Sequence, residues 1–440
     1  MPLRTSLWLL GCAAVALPAA PSAAAQQLSA AERARLAATV WSNARYNYAY
    51  WDRVHADWDS AFDASLALAS QRQSDVSWFR QLRRLVALLE DGQAEIVPPA
   101  PVRARFARPP MMVRAVEGRP FIMDYAENAE MRIARPERLA EIMAVQEIPA
   151  ETWIRDSILP ETPGSTPAAR WQRAVAWMLA GDRGTALHLR LRLPGGEERG
   201  ASVTRSAALG DRWPLALPAL SVDTLPDGVF VAHLNAFESD AAAAFDAAFR
   251  SFAGVRGLIL DLRENTGAAS EREIGYRILA RLAGHPFLTS RWRTPQYRPA
   301  YRGADMPDSA GAWFSAPPDT ILPRGDLPSY PGPLAVLASG RTAGAAEDFL
   351  VAYRNAARGP IIGETSAGST GQVQTLPLLP AWSLRLTVTR DAFPDGTEFA
   401  RTGIAPELPV AETVKDLQAG TDAALERARA YLAERAQRSN

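Results

Sequence analysis

Few side chains in this sequence are able to take a proton from a nucleophile. Lys415 is the only lysine among 48 basic residues, and the four histidines are His55, His188, His233 and His285. A serine hydroxyl is a weak nucleophile until a neighbouring base accepts its proton. Arginine holds its own proton too tightly to act as that base near neutral pH. General-base chemistry in this chain must therefore use Lys415, a histidine or a carboxylate.

Thiol chemistry is limited by the position of Cys12, the single cysteine. Arg4, the apolar run Leu7–Leu17 and the small residues Ala23–Ala25 have the pattern of a secretory signal peptide. We predict a signal peptide over residues 1–25, so the mature chain contains no cysteine, disulfide or thiol nucleophile. The alternative is a lipid anchor on Cys12, since Leu9–Cys12 resembles a lipobox. Either pattern predicts export to a bacterial periplasm or to the cell surface.

Composition sets the class of protein. The chain has 440 residues, 48 acidic and 48 basic side chains, and 48% hydrophobic residues. This is a globular composition of roughly three domains. The balanced charge does not indicate a nucleic-acid partner, and past the predicted signal no stretch is apolar for long enough to form a transmembrane segment. We predict no cofactor and no metal site.

The elements that would position a site fall into three regions and a final helix. Residues 26–107 are predicted to form a helical domain, with helices starting at the capping box of Ser29, near Asp59 and after Ser74. Its aromatic side chains are expected to fill the helical core: Trp41, Tyr46, Tyr48, Tyr50, Trp51 and Trp58. The prolines from Pro98 to Pro110 are interpreted as a linker.

The second and third regions differ in their periodicity. Residues 108–206 are predicted to combine a helix from Thr166–Pro167 to Leu179 with a half-buried strand over Leu187–Leu193, which places His188 on the solvent side. In residues 207–415, apolar strand patterns alternate with helical patterns, which indicates an α/β layer with parallel strands. A stretch rich in proline and glycine, from about 285 to 333, is expected to be a binding loop or lid. Residues 416–440 are predicted to form an amphipathic helix.

Four motifs follow one another in the third region. They are Leu258–Gly267 (LILDLRENTG), Arg341–Glu347 (RTAGAAE), Gly363–Ser369 (GETSAGS) and Gly403–Glu407 (GIAPE). As an ordered set they resemble the tail-specific protease family, also called C-terminal processing peptidases. Leu89–Gln93 (LEDGQ) is similar to a Leu-x-Asp-Gly-His signature of that family, with Gln93 in the place of the histidine. The resemblance extends over nearly the whole mature chain.

The resemblance implies a fold and a mechanism. The implied fold is an α/β multi-domain chain: an N-terminal helical bundle, a PDZ-like α+β domain and a protease core with crotonase-like ββα layers. The implied mechanism uses a serine nucleophile at a helix start and a lysine base 25 residues later. The serine position is Gly344 here, and the lysine position is Ser369. The backbone N–H groups of Gly267 and Ala345 fall where the family holds the oxyanion.

The middle region is similar to the family's PDZ-like domain in degraded form. Glu141–Glu151 follows the family's pattern, but Leu139 and Glu147 replace turn glycines. Binding of a peptide by strand addition is one expectation that follows.

Other side chains near these motifs are candidates to replace the missing groups. The predicted cleft contains the hydroxyls of Ser339, Thr342, Ser366 and Ser369, together with Gln372 as a possible orienting amide. Ser369 is the best candidate nucleophile, with Glu347 or Glu364 as its base. Glu347 falls in the first turn of a predicted helix, where the helix dipole is expected to keep it ionised. A nucleophile needs a base within hydrogen-bond reach, and this pattern favours loss of ordinary peptidase activity.

Three functions therefore remain open from the sequence. The leading hypothesis is an exported, protease-shaped protein that binds a peptide, a protein C-terminus or a small apolar ligand in the former active-site cleft. The RTAGAAE motif is also similar to interphotoreceptor retinoid-binding protein, a non-proteolytic relative. The second hypothesis is an active serine hydrolase with a displaced nucleophile at Ser369. The third is a regulatory scaffold that binds a partner protein.

Overall fold

The computed structural model describes residues 27–209, 211, 217–249, 255–267, 271–298, 300, 312–325 and 330–439. The predicted signal peptide, residues 1–25, lies outside this range, as does Cys12. Among the described residues, no helix is long and apolar enough to span a membrane.

The described chain combines helices with short strands throughout its length. The helices are α1 Ala30–Asn47, α2 Trp58–Ala69, α3 Asp75–Ala87, α4 Ala100–Arg105, α5 Ala129–Ala134, α6 Ala150–Trp153, α7 Pro167–Trp177, α8 Ala241–Phe249, α9 Arg272–Leu282, α10 Ala345–Ala356, α11 Val414–Ala419 and α12 Ala423–Ser439. The strands of the first half are β1 Glu95–Val97, β2 Phe106–Arg108, β3 Met111–Val116, β4 Arg119–Tyr125, β5 Glu141–Val145, β6 Ile148–Pro149, β7 Gly181–Asp182, β8 Ala186–Arg192, β9 Glu198–Thr204 and β10 Ala207–Ala208. The strands of the second half are β11 Leu220–Thr224, β12 Val229–Leu234, β13 Gly257–Asp261, β14 Phe287–Leu288, β15 Arg291–Pro295, β16 Trp313–Ala316, β17 Thr320–Ile321, β18 Leu334–Ala338, β19 Ile361–Gly363, β20 Val373–Leu379, β21 Trp382–Thr387, β22 Arg390–Ala392 and β23 Leu408–Pro409.

The first three helices begin where their caps predict. Ser29 and Glu32 form the predicted capping box at the start of α1, and the side chains of Asp57 and Ser74 cap α2 and α3. Each cap satisfies N–H groups that a helix start leaves without partners. The prediction of three helices in this region is confirmed.

The aromatic residues of this region fill its core, with one exception. Tyr48, Tyr50 and Trp58 are buried, and Trp41 and Trp51 pack against the same cluster. Tyr46 is 46% exposed and contacts the ring of Tyr297 edge-on. The prediction of a core role is therefore wrong for Tyr46 and confirmed for the other five.

The prolines between 98 and 110 do not form a linker. Pro99 occupies the N-cap position of α4 and Pro101 lies in its first turn, where no intrahelical N–H bond is required. Phe106 in β2 is 1% exposed and belongs to the helical core. The interpretation as a linker was wrong because proline favours helix starts as well as loops.

Strands from much later in the sequence complete the core of the helical region. β1 pairs with β21, in a three-stranded sheet of order β1-β21-β20. Trp382, Leu384 and Leu386 are buried against the helices.

The middle of the chain forms a sheet of order β3-β4-β5-β8-β9, with α7 packed beside β3. Thr166 caps α7 as predicted, and the helix ends two residues earlier than expected, at Trp177. β8 alternates between exposed and buried residues, so the prediction for His188 is confirmed. Leu139 and Glu147 both have positive φ, of 65° and 62°. These turns retain a backbone that favours glycine, at about 1 kcal/mol of strain each.

The third region contains the predicted parallel sheet. Its order is β11-β12-β13-β18-β19-β23, and only β11 is antiparallel to its neighbour. α8, α9 and α10 pack on one face, and α12 covers the other through Ala428 and Leu432. The described parts of 285–333 form small antiparallel pairs, β14 with β17 and β15 with β16. Because the carboxyl ends of parallel strands meet at one edge, the loops after β13, β18 and β19 converge there.

His233 in β12 lies within ion-pair distance of one aspartate in each neighbouring strand, β11 and β13. Its ring nitrogens lie 3.2 Å from Asp261 Oδ2 and 3.1 Å from Asp223 Oδ2, and Arg263 joins Asp261 to Asp422. The hydrogen bond to Asp261, followed by the charges of both aspartates, raises the pKa of His233 above 6.5. A raised histidine pKa stabilises the fold fully below the unfolded value, and this contribution is lost as pH rises through the folded value.

We therefore expect the free energy of unfolding to fall as pH rises above about 6.5, with less of a fall in His233→Gln. Denaturant unfolding at several pH values measures this difference. His188→Gln is the matched control, because the His188 ring hydrogen-bonds the Ser202 hydroxyl and pairs with no carboxylate among the described residues. An unchanged pH dependence in His233→Gln would contradict the assignment.

Candidate functional site

The site is built around a sharp turn between β18 and α10. Gly344 ends this turn with φ +57° and ψ −125°, a conformation that glycine alone adopts without strain. Its N–H donates to the Ser369 carbonyl at 2.8 Å. A strand, a strained turn and a helix in this order are the arrangement that presents the serine nucleophile in α/β-hydrolases. Here the presenting geometry remains and the side chain is absent.

A side chain added at Gly344 would have little room and a defined orientation. A Cβ atom at this position would lie 3.3 Å from Gly267 Cα and 3.4 Å from Gln93 Oε1. Gln93 Nε2 donates to the Gly371 carbonyl at 3.1 Å, which fixes the amide. A side chain added at 344 would therefore point towards Gln93. The sequence resemblance names position 93 but does not show this contact.

The backbone of Gly267 packs directly against the backbone of Ala343 and Gly344. Its φ is +72°, and a Cβ there would lie 2.6 Å from the Ala343 carbonyl oxygen, so only glycine fits. Its N–H donates to Asn265 Oδ1 at 3.2 Å. Ala345 is the first residue of α10, where an N–H has no intrahelical acceptor. The two predicted oxyanion donors therefore lie on either side of Gly344, one of them already hydrogen-bonded.

Ser369 lies beside this turn, and its hydroxyl has another hydroxyl as partner. Ser369 Oγ donates to Ser165 Oγ at 2.9 Å, and Ser165 Oγ also accepts from the Gly92 N–H at 2.9 Å. Among the described residues, no carboxylate, imidazole or amine is hydrogen-bonded to Ser369 Oγ. Ser165 comes from the middle region, and no pattern in the sequence indicates its role.

Glu347 is buried and anchors the loop that carries Ser369. Its carboxylate accepts from Ser366 Oγ at 2.5 Å, from the Gly368 N–H at 2.7 Å and from the Ser369 N–H at 2.9 Å. Burial raises its pKa to about 7, although these three hydrogen bonds act in the opposite direction. Burial therefore opposes the helix dipole, which was expected to keep Glu347 ionised. Glu347 bonds the backbone of Ser369 and not its hydroxyl.

The other predicted cleft residues form part of the scaffold. Ser339 Oγ donates to the Arg263 carbonyl at 2.8 Å, and Thr342 Oγ1 donates to the Leu262 carbonyl at 2.9 Å. Both bonds tie the turn after β18 to the loop after β13. Gln372 is exposed, and its backbone N–H donates to Thr389 Oγ1 at 2.7 Å. Gln372 is not among the residues that line the cavity described next.

A cavity of about 690 Å³ opens in front of this turn. Its walls come from the turn and from the groove between β3 and α7. The lining residues include Gln93, Arg108, Met112, Val113, Arg114, Met123, Ala169, Gln172, Arg173, Ala176, Leu217, Glu264, Arg341, Ala343 and Ser369. This volume lies in the range of about 300–1,000 Å³ typical of ligand sites.

Comparison with known proteins identifies a peptidase family that part of the chain resembles. Residues 229–410 match peptidase family S41, and this range contains the turn, Gly267 and Ser369. A search of curated proteins finds no match. The match contains all four ordered motifs of the third region, so the predicted resemblance to the tail-specific protease family is confirmed over residues 229–410.

A solved structure shares the fold over most of the chain. The structure of mature CPAF complexed with lactacystin has a TM-score of 0.69 at 16% identity, covering 92% of this chain and 97% of that one. The photosystem II D1 C-terminal processing protease has a TM-score of 0.48 at 17% identity, covering 86% of this chain and 93% of that one. At these identities the likeness to CPAF establishes the fold alone, a multi-domain mixture of helices and sheets.

Proposed function

We propose that this chain is an exported member of the S41 family that binds an extended peptide in its cleft without hydrolysing it. The observation that carries the proposal is the turn at Gly344, which has no side chain where a nucleophile would stand. The candidate replacement hydroxyl, on Ser369, is hydrogen-bonded to Ser165 and not to a base among the described residues. Without a base in reach, a serine hydroxyl attacks an amide too slowly for catalysis. Export rests on the predicted signal peptide.

The groove beside β3 supports an extended peptide as the ligand. β3 is the end strand of its sheet, so one of its backbone edges has no strand partner within the described part of the chain. Gln172 Nε2 donates to the Ala115 carbonyl at 3.2 Å, which indicates that the polar groups of Ala115 face α7. By strand alternation, those of Val113 face the same way. A peptide added along β3 would be the PDZ-like mode of strand addition.

The groove also leads to the former active site. Val113 and Gln172 line the same cavity as Ala343 and Ser369. A peptide lying along β3 therefore reaches the turn at Gly344. The apolar wall formed by Met112, Met123 and Ala176 suits its hydrophobic side chains.

The test combines a covalent probe with peptide binding. We expect the mature protein to bind pooled short peptides, to leave them uncut, and to show no adduct with a fluorophosphonate probe. Mass spectrometry locates any adduct and detects any cleavage. An adduct on Ser369 that disappears in Ser369→Ala, together with peptide cleavage, would establish a displaced nucleophile and overturn the proposal. Binding of small apolar molecules without any peptide binding would also overturn it.

A further inference from the structure

Four arginines line the cavity, and two of them are neutralised. Arg114 pairs with Glu412 at 2.8 Å, and Arg341 pairs with Glu264 at 2.5 Å. The remaining two, Arg108 and Arg173, have no carboxylate within ion-pair distance among the described residues. The cavity therefore carries an excess of positive charge, although the sequence as a whole is balanced.

Arg173 lies beside the former active site. Its Nη1 donates to the Gly92 carbonyl at 2.5 Å, and Gly92 directly precedes Gln93. Asp91 and Glu95 act on its charge only from a distance. Arg173 is half-buried, and this burial lowers its pKa from the usual arginine value, so its charge has lost part of its hydration.

Arg108 packs against α7, the helix that also carries Arg173. Its guanidinium stacks over the Trp177 ring at 4.9 Å, and Trp177 follows Arg173 by one helical turn on α7. Burial lowers the pKa of Arg108 as well. A cation removed from water destabilises the fold unless an anion accompanies it. Two such cations in one ligand-sized cavity are suited to a ligand that carries the missing anion.

We propose that Arg108 and Arg173 select peptides that carry a carboxylate, and that this acidic group binds in the cleft beside the turn at Gly344. The inference rests on the proposed function, since it names the class of peptide that the same cleft accepts. A guanidinium binds a carboxylate through parallel N–H donors, and such a pair is strong where water is excluded. The carboxylate comes either from an acidic side chain or from a peptide C-terminus.

The test compares pooled peptides that differ at one group. Three pools of acetylated, amidated short peptides carry a fixed Glu, Gln or Lys at a central position, and a fourth has a free C-terminus and no acidic side chain. We expect the Glu pool or the free-terminus pool to bind wild type about tenfold more tightly than the Gln pool, as one charge-assisted hydrogen bond contributes. Which of the two pools is preferred identifies the source of the carboxylate.

Variants assign the preference to the two arginines. Arg108→Met and Arg173→Met are each expected to reduce it, and the double variant to abolish it, while the exposed Arg103→Met retains it. Arg173→Lys covers the case in which Arg173→Met does not fold, because it keeps the charge and loses the paired donors. Denaturant unfolding establishes that each variant is folded.

The two proposals fail in different ways. Equal binding of the Glu, Gln, Lys and free-terminus pools, or a preference that survives in the double variant, would overturn the selection of acidic peptides while peptide binding stands. Absence of binding by every pool, or cleavage of the bound peptides, would overturn the proposed function itself.

Discussion

The double variant Gly344→Ser, Gln93→His is expected to gain measurable peptidase activity, about 10²-fold or more above Gly344→Ser alone, the effect typical of a general base. A side chain at 344 points at position 93, where the Gln93 Oε1 lies 3.4 Å from the added Cβ. The Gly371 carbonyl, which now accepts from Gln93, would orient an imidazole in its place. Cleavage of a fluorogenic peptide pool measures the gain.

A lysine at 369 is expected to be a weaker replacement base, although the family resemblance places one there. A Cβ on Gly92 would lie 2.2 Å from Ser369 Oγ, and Ser165 stands on the same side. A long side chain at 369 must therefore displace its neighbours. We expect Gly344→Ser, Ser369→Lys to gain less activity than Gly344→Ser, Gln93→His.

The controls separate activity from strain. Gly344→Ala, Gln93→His places a side chain at the same strained backbone position but supplies no hydroxyl. This variant is expected to be inactive. Any side chain at φ +57° is expected to reduce the free energy of unfolding by about 1–3 kcal/mol. If Gly344→Ser, Gln93→His folds but shows no activity above Gly344→Ala, Gln93→His, the assignment of 344 and 93 as the nucleophile and base positions is wrong.

Glu347→Gln is expected to change how stability depends on pH. Burial raises the Glu347 pKa from 4.5 to about 7, so the folded chain binds more protons than the unfolded chain between these values. The free energy of unfolding then falls as pH rises from about 4.5 to about 7, by on the order of 3 kcal/mol for this group. The amide that replaces the carboxyl group in Glu347→Gln cannot ionise, so this part of the slope should disappear.

Denaturant unfolding at pH values across this range measures the slope. Asp348 adds a similar slope, since burial, followed by the charge of Asp391, raises its pKa to about 7, so some slope should remain in Glu347→Gln. Glu364→Gln is the matched control. Glu364 directly follows β19, and its carboxylate is only partly buried. Equal slopes in Glu347→Gln and wild type would show that Glu347 is ionised in the fold across the whole range.

Local signals in the sequence predict much of the fold. Ser29 with Glu32, and Thr166 with Pro167, define helix starts because capping depends only on neighbours in the chain. The parallel sheet follows from the alternation of apolar strands and helices. The order of the motifs also predicts which loops meet at Gly344. These inferences need no knowledge of distant contacts.

Distant contacts account for what the sequence did not predict. Ser165 approaches Ser369 across 204 positions, and no local pattern marks this pair. The pKa of Glu347 depends on complete burial, which its place in a helix start does not reveal. The excess charge of Arg108 and Arg173 appears only when the carboxylates that neutralise the other arginines are located in space.

The pairing of β1 with β21 has a consequence for the order in which the chain folds. Ile96 lies opposite Leu384, so the core around α1–α3 needs strands made almost 300 positions later. Contacts of such long sequence separation slow folding, because a long loop must close before they form. The first helices to be synthesised therefore remain incompletely packed until nearly the whole chain is available. The earliest part of the sequence is among the last to reach its final packing.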